Sequence, residues 1–231
     1  MTTQRYPQPP LNVQLRPSFT LHNFVIGANH ELFNQLYRKQ SAKSLFIWGE
    51  AGCGKSHLLQ AMCQQASQQG VRSIYLPLEQ IMALGVEILR GCDQIDLVAI
   101  DSVSFAATTL WEESLFHLFN QLRHNHHRLL VADRHPPEES QWQLNDLLSR
   151  WRWGPVYQLQ PMDEAALIEA LQLRAQDQGL SMSPQVGHYL LKHISRDTTK
   201  LFRLMDDLDY ASLATQRRLT IPFIKQHLLQ T

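Results

Sequence analysis

Net charge is absent from this chain. Lysine and arginine together number 21, and so do aspartate and glutamate. No global basic field can therefore hold a polyanion by counterion release, which disfavours nucleic acid as the main partner. Cysteine is scarce as well. Cys53, Cys63 and Cys92 form an odd set without C-x-x-C spacing, which argues against a disulfide framework and a zinc site and makes a reducing cytoplasm the expected location. No apolar run approaches the roughly 18 residues a membrane span requires, and the opening MTTQRYPQPP holds no apolar signal core, so no membrane partner is expected. What remains is a 231-residue chain, 44% hydrophobic and 18% charged, enough for one core domain and a small satellite.

Residues 1–18 carry Pro7, Pro9, Pro10 and Pro17 with few large apolar side chains, the composition of a flexible tail. Across residues 19–160, short apolar or β-rich runs at Ser44–Trp48, 72–76, 97–100, 128–132 and 156–159 alternate with amphipathic stretches at 30–39, 56–68, 78–89, 110–124 and 146–149. This alternation predicts an α/β domain with a five-stranded parallel sheet covered on both faces. In 110–124, Leu115, Phe116, Leu118, Phe119 and Leu122 make the apolar face, and Glu112, Glu113 and Gln121 are expected to look outward. Beyond Pro161 the strand signals stop. Residues 161–231 read as a small helical domain of four helices: one capped by Asp163, one starting at Ser183-Pro184, one opened by Asp197 or Thr198, and one capped by Thr220.

The run Gly49-Glu50-Ala51-Gly52-Cys53-Gly54-Lys55-Ser56 follows the apolar run SLFIW and leads into a helical pattern. It fits G-x-x-x-x-G-K-[ST] at every position, the spacing of a phosphate-binding loop. Its chemistry requires these residue types. Gly49, Gly52 and Gly54 let backbone N–H groups close around phosphate oxygens, and a helix beginning near Lys55 turns its positive end toward the anion. Lys55 neutralises phosphate charge and Ser56 is a Mg²⁺ ligand, with Cys53 in a variable slot and His57 next along the helix. Leu97-Val98-Ala99-Ile100 then deliver Asp101 to the carboxyl end of a strand, where it can anchor the Mg²⁺. The next residue is Ser102, too weak a base at neutral pH to activate water, so hydrolysis by this chain alone is expected to be slow or absent.

Taken in order, the strand, phosphate loop, strand ending in Asp101, LLVADRHPP, LLSRWRWG and helical tail resemble an AAA+ P-loop NTPase core followed by its C-terminal helical lid. More narrowly, Asn23–Gly27, residues 129–137 and residues 147–154 resemble the nucleotide-binding region of the replication initiator DnaA, and in particular the Hda-type short homologues of DnaA. The resemblance implies ADP or ATP as the cofactor, with the diphosphate state favoured, and Phe24 and Val25 beside the base. It implies Asp133 as sensor 1 and Arg150 as an arginine finger acting in trans, with Arg152 as the register competitor and a plain surface salt bridge as the alternative. The sensor 2 arginine is missing. Thr199 occupies its position, with Lys200 or Arg196 as candidate substitutes.

The tail holds Gln8-Pro9-Pro10-Leu11-Asn12-Val13, similar to the Gln-x-x-Leu-x-aliphatic peptide by which Hda-type proteins bind the sliding clamp, the β subunit of DNA polymerase III. Gln8, Leu11 and Val13 are its candidate anchors. A second register, Gln14 to Phe19, is open. The chain stops where DnaA would continue into a DNA-binding domain, so DNA is expected to be met only indirectly, through the clamp. The function implied is to promote hydrolysis of DnaA-bound ATP and so prevent re-initiation of replication. A homodimer or a higher head-to-tail oligomer is compatible with that role. The alternatives are an autonomous ATPase such as a helicase loader, or a DNA-binding adaptor.

Overall fold

The computed structural model describes residues 15–37, 42–212 and 218–230. Five parallel strands, β1 (Ser44–Trp48), β2 (Ser73–Pro77), β3 (Leu97–Asp101), β4 (Arg128–Asp133) and β5 (Val156–Gln158), form one sheet in the order β2-β3-β4-β1-β5. Their composition explains why the sheet is covered on both sides. Phe46, Val98, Ile100, Leu129 and Val131 face one apolar cluster, while the alternate residues Leu45, Ile47, Ala99, Leu130 and Ala132 face another. Helices α1 (His30–Tyr37) and α2 (Lys55–Gln68) cover the second face; α4 (Trp111–His124) and α5 (Asn145–Trp151) cover the first.

The stretch 78–89 is not the single helix expected. It breaks into α3 (Leu78–Ile81) and two 3-10 turns, Met82–Leu84 and Val86–Leu89, because Gly85 between them adopts φ +84°, ψ 162°, which no helix can pass through. Glu112 also departs from expectation, since it is buried. Its carboxylate accepts hydrogen bonds from Thr108 N–H at 2.6 Å, Gln143 N–H at 3.1 Å and Leu144 N–H at 2.7 Å, joining the loop before α4 to the segment that enters α5. Residues 15–18, counted with the tail by composition, lie on the core. Leu15 packs beside α2, and one helical turn of that helix satisfies both backbone groups of Arg16: its N–H donates to Gln60 Oε1 at 2.9 Å, and its carbonyl accepts from Gln64 Nε2 at 2.6 Å.

The lid holds α6 (Glu164–Asp177), α7 (Pro184–His193), α8 (Thr198–Ser212) and α9 (Ile221–Gln230) around its own core of Leu171, Leu190, Leu201, Met205 and Leu208. The caps are where side-chain chemistry puts them. Asp163 accepts from Ala166 N–H at 2.8 Å, and Asp197 accepts from Thr199 N–H at 2.8 Å and Lys200 N–H at 3.2 Å. The lid is not purely helical, however. Ser181–Met182 (β6) and Arg218–Leu219 (β7) pair in parallel, with Met182 and Leu219 pointing into the lid core; runs of two residues carry no readable period.

Replacing Glu112 by Ala should leave three backbone donors unsatisfied in a buried site and lower the unfolding free energy by about 2–3 kcal/mol. Urea denaturation of the two proteins measures this, and a loss below about 0.5 kcal/mol, the range of an ordinary surface substitution, would contradict the assigned role.

Candidate functional site

The parallel sheet brings the carboxyl ends of β1 and β3 to one edge, and there the loop 49–54, the strap 15–25 and the lid enclose a cavity of about 470 Å³. The loop is shaped by its glycines. Gly54 has φ +105°, and a Cβ there would sit 3.2 Å from the Phe24 ring, so only glycine lets the strap lie this close. Lys55 is buried, and its ammonium donates to the carbonyls of Gly49 at 2.6 Å and Glu50 at 2.8 Å, with Cys53 Sγ at 3.7 Å. Ser56 opens the first turn of α2 with its side chain exposed on the cavity wall. Burial raises the Cys53 thiol, and the Lys55 charge opposes that rise only in part, so it is a poor nucleophile here.

Asp101, also on the wall, is almost fully buried; Tyr75 Oη donates to its Oδ2 at 2.6 Å, and Ser102 Oγ lies 3.5 Å from its Oδ1. Burial first, then the neighbouring Asp101 carboxylate, raises the Tyr75 phenol, which therefore stays a donor at any physiological pH. Ser102 holds the left-handed conformation at φ 58° that ends β3. These residues fit a nucleotide phosphate with Mg²⁺: a loop too close for side chains, a buried ammonium, an exposed hydroxyl and a carboxylate around one concavity.

His57 is fixed by the strap. Its Nε2–H donates to the Thr20 carbonyl at 2.8 Å, Phe19 stacks on it at 4.7 Å, and the Phe24 ring meets it edge-on at 5.4 Å. Burial lowers its pKa from 6.5. From the lid, α8 begins against the loop: a Cβ on Gly52 would lie 3.3 Å from Thr198 Cβ and 3.4 Å from Thr199 Oγ1.

The expected residues Phe24, Val25, Gly52, Cys53, Gly54, Lys55, Ser56, His57, Asp101 and Thr199 thus share one wall. Gly49, Lys200 and Asp133 are not on it. Asp133 is buried behind it and holds a turn, accepting from Ser104 N–H at 2.6 Å, Ser104 Oγ at 2.9 Å and Arg134 N–H at 2.6 Å; burial raises its carboxyl despite these donors. Arg196 is committed elsewhere, 3.6 Å from Glu164. Gln8, Leu11 and Val13 lie outside the described residues, as does Gln14, and the Leu15 and Phe19 of the second register are occupied with α2 and His57.

Sequence reasoning passed over Tyr75, Arg174 and Arg203, all on the wall. Tyr75 is the polar-tipped residue at the centre of SIYLP, and Arg203 shares a helix face with Thr199. Arg174 is held by Asp206, at 3.1 Å through Nε.

Arg150 lies on α5, away from the cavity wall. Its guanidinium sits 5.5 Å over Phe116 and 5.6 Å over Trp153, which is 57% exposed. Its Nε is buried without a hydrogen-bond partner, and among the described residues no carboxylate pairs with it. Arg152, the competitor in register, is paired with Glu138 at 2.9 Å. Trp151, next to Arg150, is core, packed against Phe46, Phe119 and Trp142.

Residues 15–158 match the family of the bacterial DnaA ATPase domain. The chain belongs to this DnaA-type AAA+ family. Residues 163–228 match the Hda lid domain, which makes it an Hda-like DnaA homologue. Among solved structures, it resembles domain III of the Thermotoga maritima replication initiation protein DnaA, at 23% identity over 94% of this chain and 98% of that one, with a TM-score of 0.77. It also resembles AMPPCP-bound DnaA from Aquifex aeolicus, at 23% identity over 86% of this chain and 67% of that one, TM-score 0.69. The RuvB Holliday-junction branch migration motor of Thermotoga maritima shares the architecture at 16% identity, over 94% of this chain and 72% of that one, TM-score 0.61. At these identities the structural likeness speaks for the AAA+ fold, sheet and lid together.

Because burial lowers the His57 pKa, the unfolded chain takes up this proton before the folded one does. The stability tied to the neutral imidazole is present above the ordinary value of 6.5 and is lost as the pH falls below it. His57→Gln retains an amide donor for the Thr20 carbonyl without titrating. Urea midpoints measured at about pH 7.5 and 5.5 should therefore separate less in the variant than in the wild type; equal separations would mean that His57 does not charge on unfolding.

Proposed function

We propose that this Hda-like homologue is a nucleotide-bound regulator that docks on the replicative sliding clamp through its N-terminal segment and promotes hydrolysis of the ATP held by DnaA, preventing re-initiation. The observation that carries this reading is Arg150. A guanidinium without a carboxylate partner among the described residues, set beside an exposed tryptophan and away from its own chain's cavity, has no phosphate to serve in cis. Supplied to a neighbour's nucleotide, such an arginine adds about 10³–10⁵ to the rate by stabilising charge on the transferring phosphoryl group.

The chain's own cavity holds an adenine nucleotide in this reading. The AMPPCP bound to the Aquifex aeolicus DnaA supports the choice of base. Lys55 and the loop N–H groups bind the phosphates, Ser56 and Asp101 hold the Mg²⁺ that neutralises them, and the strap presents Phe24 and Val25 to the base. Ser102 beside Asp101 supplies no general base, so the bound nucleotide rests as ADP and the chain regulates rather than turns over. Gln8, Leu11 and Val13 anchor the clamp peptide, and the clamp brings a neutral protein to DNA it does not grip itself. In this reading the protein works in the cytoplasm, where it meets the clamp and DnaA. Among the described residues no helix is long and apolar enough to cross a membrane.

Arg150→Ala should leave clamp binding and nucleotide binding at wild-type levels and reduce DnaA-directed ATP hydrolysis by at least about a hundredfold in a reconstitution with clamp and DNA. Wild-type turnover by the variant would move the finger elsewhere, and phosphate release by the purified chain without DnaA would favour an autonomous ATPase.

Removing residues 1–13 should abolish association with the clamp while the thermal midpoint in the presence of ADP stays put, because the deletion spares the strap contacts of Leu15 and Arg16. Activity should return in part at much higher protein concentration, where tethering no longer limits encounter. Full activity at low concentration would place the clamp contact on the folded domain.

A further inference from the structure

Two α8 residues four apart, Thr199 and Arg203, line the cavity, and only the second carries charge. Thr199, where the resemblance to DnaA expects an arginine, has no charge, and neither suggested substitute reaches the cavity. Lys200 is exposed and off the wall, and Arg196 is paired with Glu164. The wall nevertheless includes an arginine from α8, Arg203. It lies four residues after Thr199 and so on the same helix face, about 6 Å further along the axis, a distance an arginine side chain spans.

Its surroundings distinguish it from the other cations at the cavity. Lys55 belongs to the phosphate loop and donates to its Gly49 and Glu50 carbonyls, Arg174 is paired with Asp206, and Arg16 lies 5.2 Å over the Phe19 ring. Arg203 has no carboxylate, carbonyl or aromatic partner among the described residues; Asp206 stands one turn beyond it, but its Oδ1 accepts from Arg174 and Gln178 instead. An unpaired guanidinium facing a concavity that ends in a phosphate loop is complementary to a phosphate chain.

We propose that Arg203 binds the phosphate chain of a nucleoside diphosphate, taking over from the vacant position at Thr199 and tying the lid to the nucleotide. This rests on the nucleotide-binding reading of the cavity. It also assigns the contact its consequence: α8 abuts the loop at Gly52, so an anion bridging Arg203 and the loop closes the lid onto the core.

Titration calorimetry of ADP and AMP with the full chain tests it, using Arg203→Ala, Arg203→Lys, the double variant Arg203→Ala with Thr199→Arg, and Lys55→Ala. Arg203→Ala should weaken ADP binding by about tenfold or more and AMP binding less. Arg203→Lys should fall between, having lost the forked donor. The double variant should regain most of the affinity, since it restores a cation to the same wall. The thermal midpoint without nucleotide should not move, as Arg203 is exposed and has no bonding partner among the described residues. Unchanged ADP affinity in Arg203→Ala alongside a loss in Lys55→Ala would overturn the role of Arg203 and leave the cavity reading standing. Equal weakening of ADP and AMP would overturn the phosphate-chain assignment. If the wild-type chain binds neither nucleotide, the reading of the cavity itself fails.

Discussion

The position of β1 between β4 and β5 decides where everything else at the site can be. In the order β2-β3-β4-β1-β5 the chain leaves β1 through the loop and α2, reaches the far edge at β2, and fills in β3 and β4 on its way back. The loop therefore emerges at the sheet's carboxyl edge, between neighbours whose connections diverge, the place where an open parallel sheet leaves a crevice. Register does the rest: Trp48 pairs with Asp133 and Ala132 with Asp101, so a glycine-rich turn and two acids arrive at one level without any long-range side-chain bond to steer them.

Three of the buried carboxylates in this core have different duties, and burial alone does not tell them apart. Asp101 faces the cavity, held by a phenol that burial keeps protonated. Asp133 and Glu112 are turned inward, each satisfied by backbone N–H groups from a neighbouring loop. Asp133 therefore holds the 103–106 turn that follows Asp101 and makes no direct contact with the cavity. A buried carboxylate surrounded by amide donors is a structural clamp, whereas one surrounded by a hydroxyl and open space is available to a ligand.

Much of this was legible because local chemistry and global fold agree. The phosphate loop announces itself through spacing, the five strands through apolar runs bounded by polar residues, and the lid helices through Asp163, Asp197 and Thr220. The features that escaped are those fixed by partners distant in sequence. Glu112 sits on the stripe of Leu115, Phe119 and Leu122, so its burial followed from periodicity, but charge made it look like a surface residue; only the N–H groups of Gln143 and Leu144 explain why it can be inside. Proline content marked residues 15–18 as tail, yet Gln60 and Gln64 on α2 satisfy their backbone. The two-residue pair β6 and β7 lies below any periodic signal, and the break at Gly85 is one glycine among ten.

The support under Arg150 bears on how a finger can act at all. A flexible arginine would surrender much of its rate effect to the entropy of being ordered at each encounter. Here the helix that carries it is short, seven residues, and could not be stable alone. It is secured at its start by Glu112, which accepts from Leu144 N–H, and at its end by Trp151, whose ring packs between Phe46 of β1, Phe119 of α4 and Trp142. Phe46 belongs to the strand that delivers the phosphate loop. The residue proposed to act on a neighbour's phosphate is thus braced against the strand whose carboxyl end carries the phosphate loop, and a rigid sheet fixes the distance between the two.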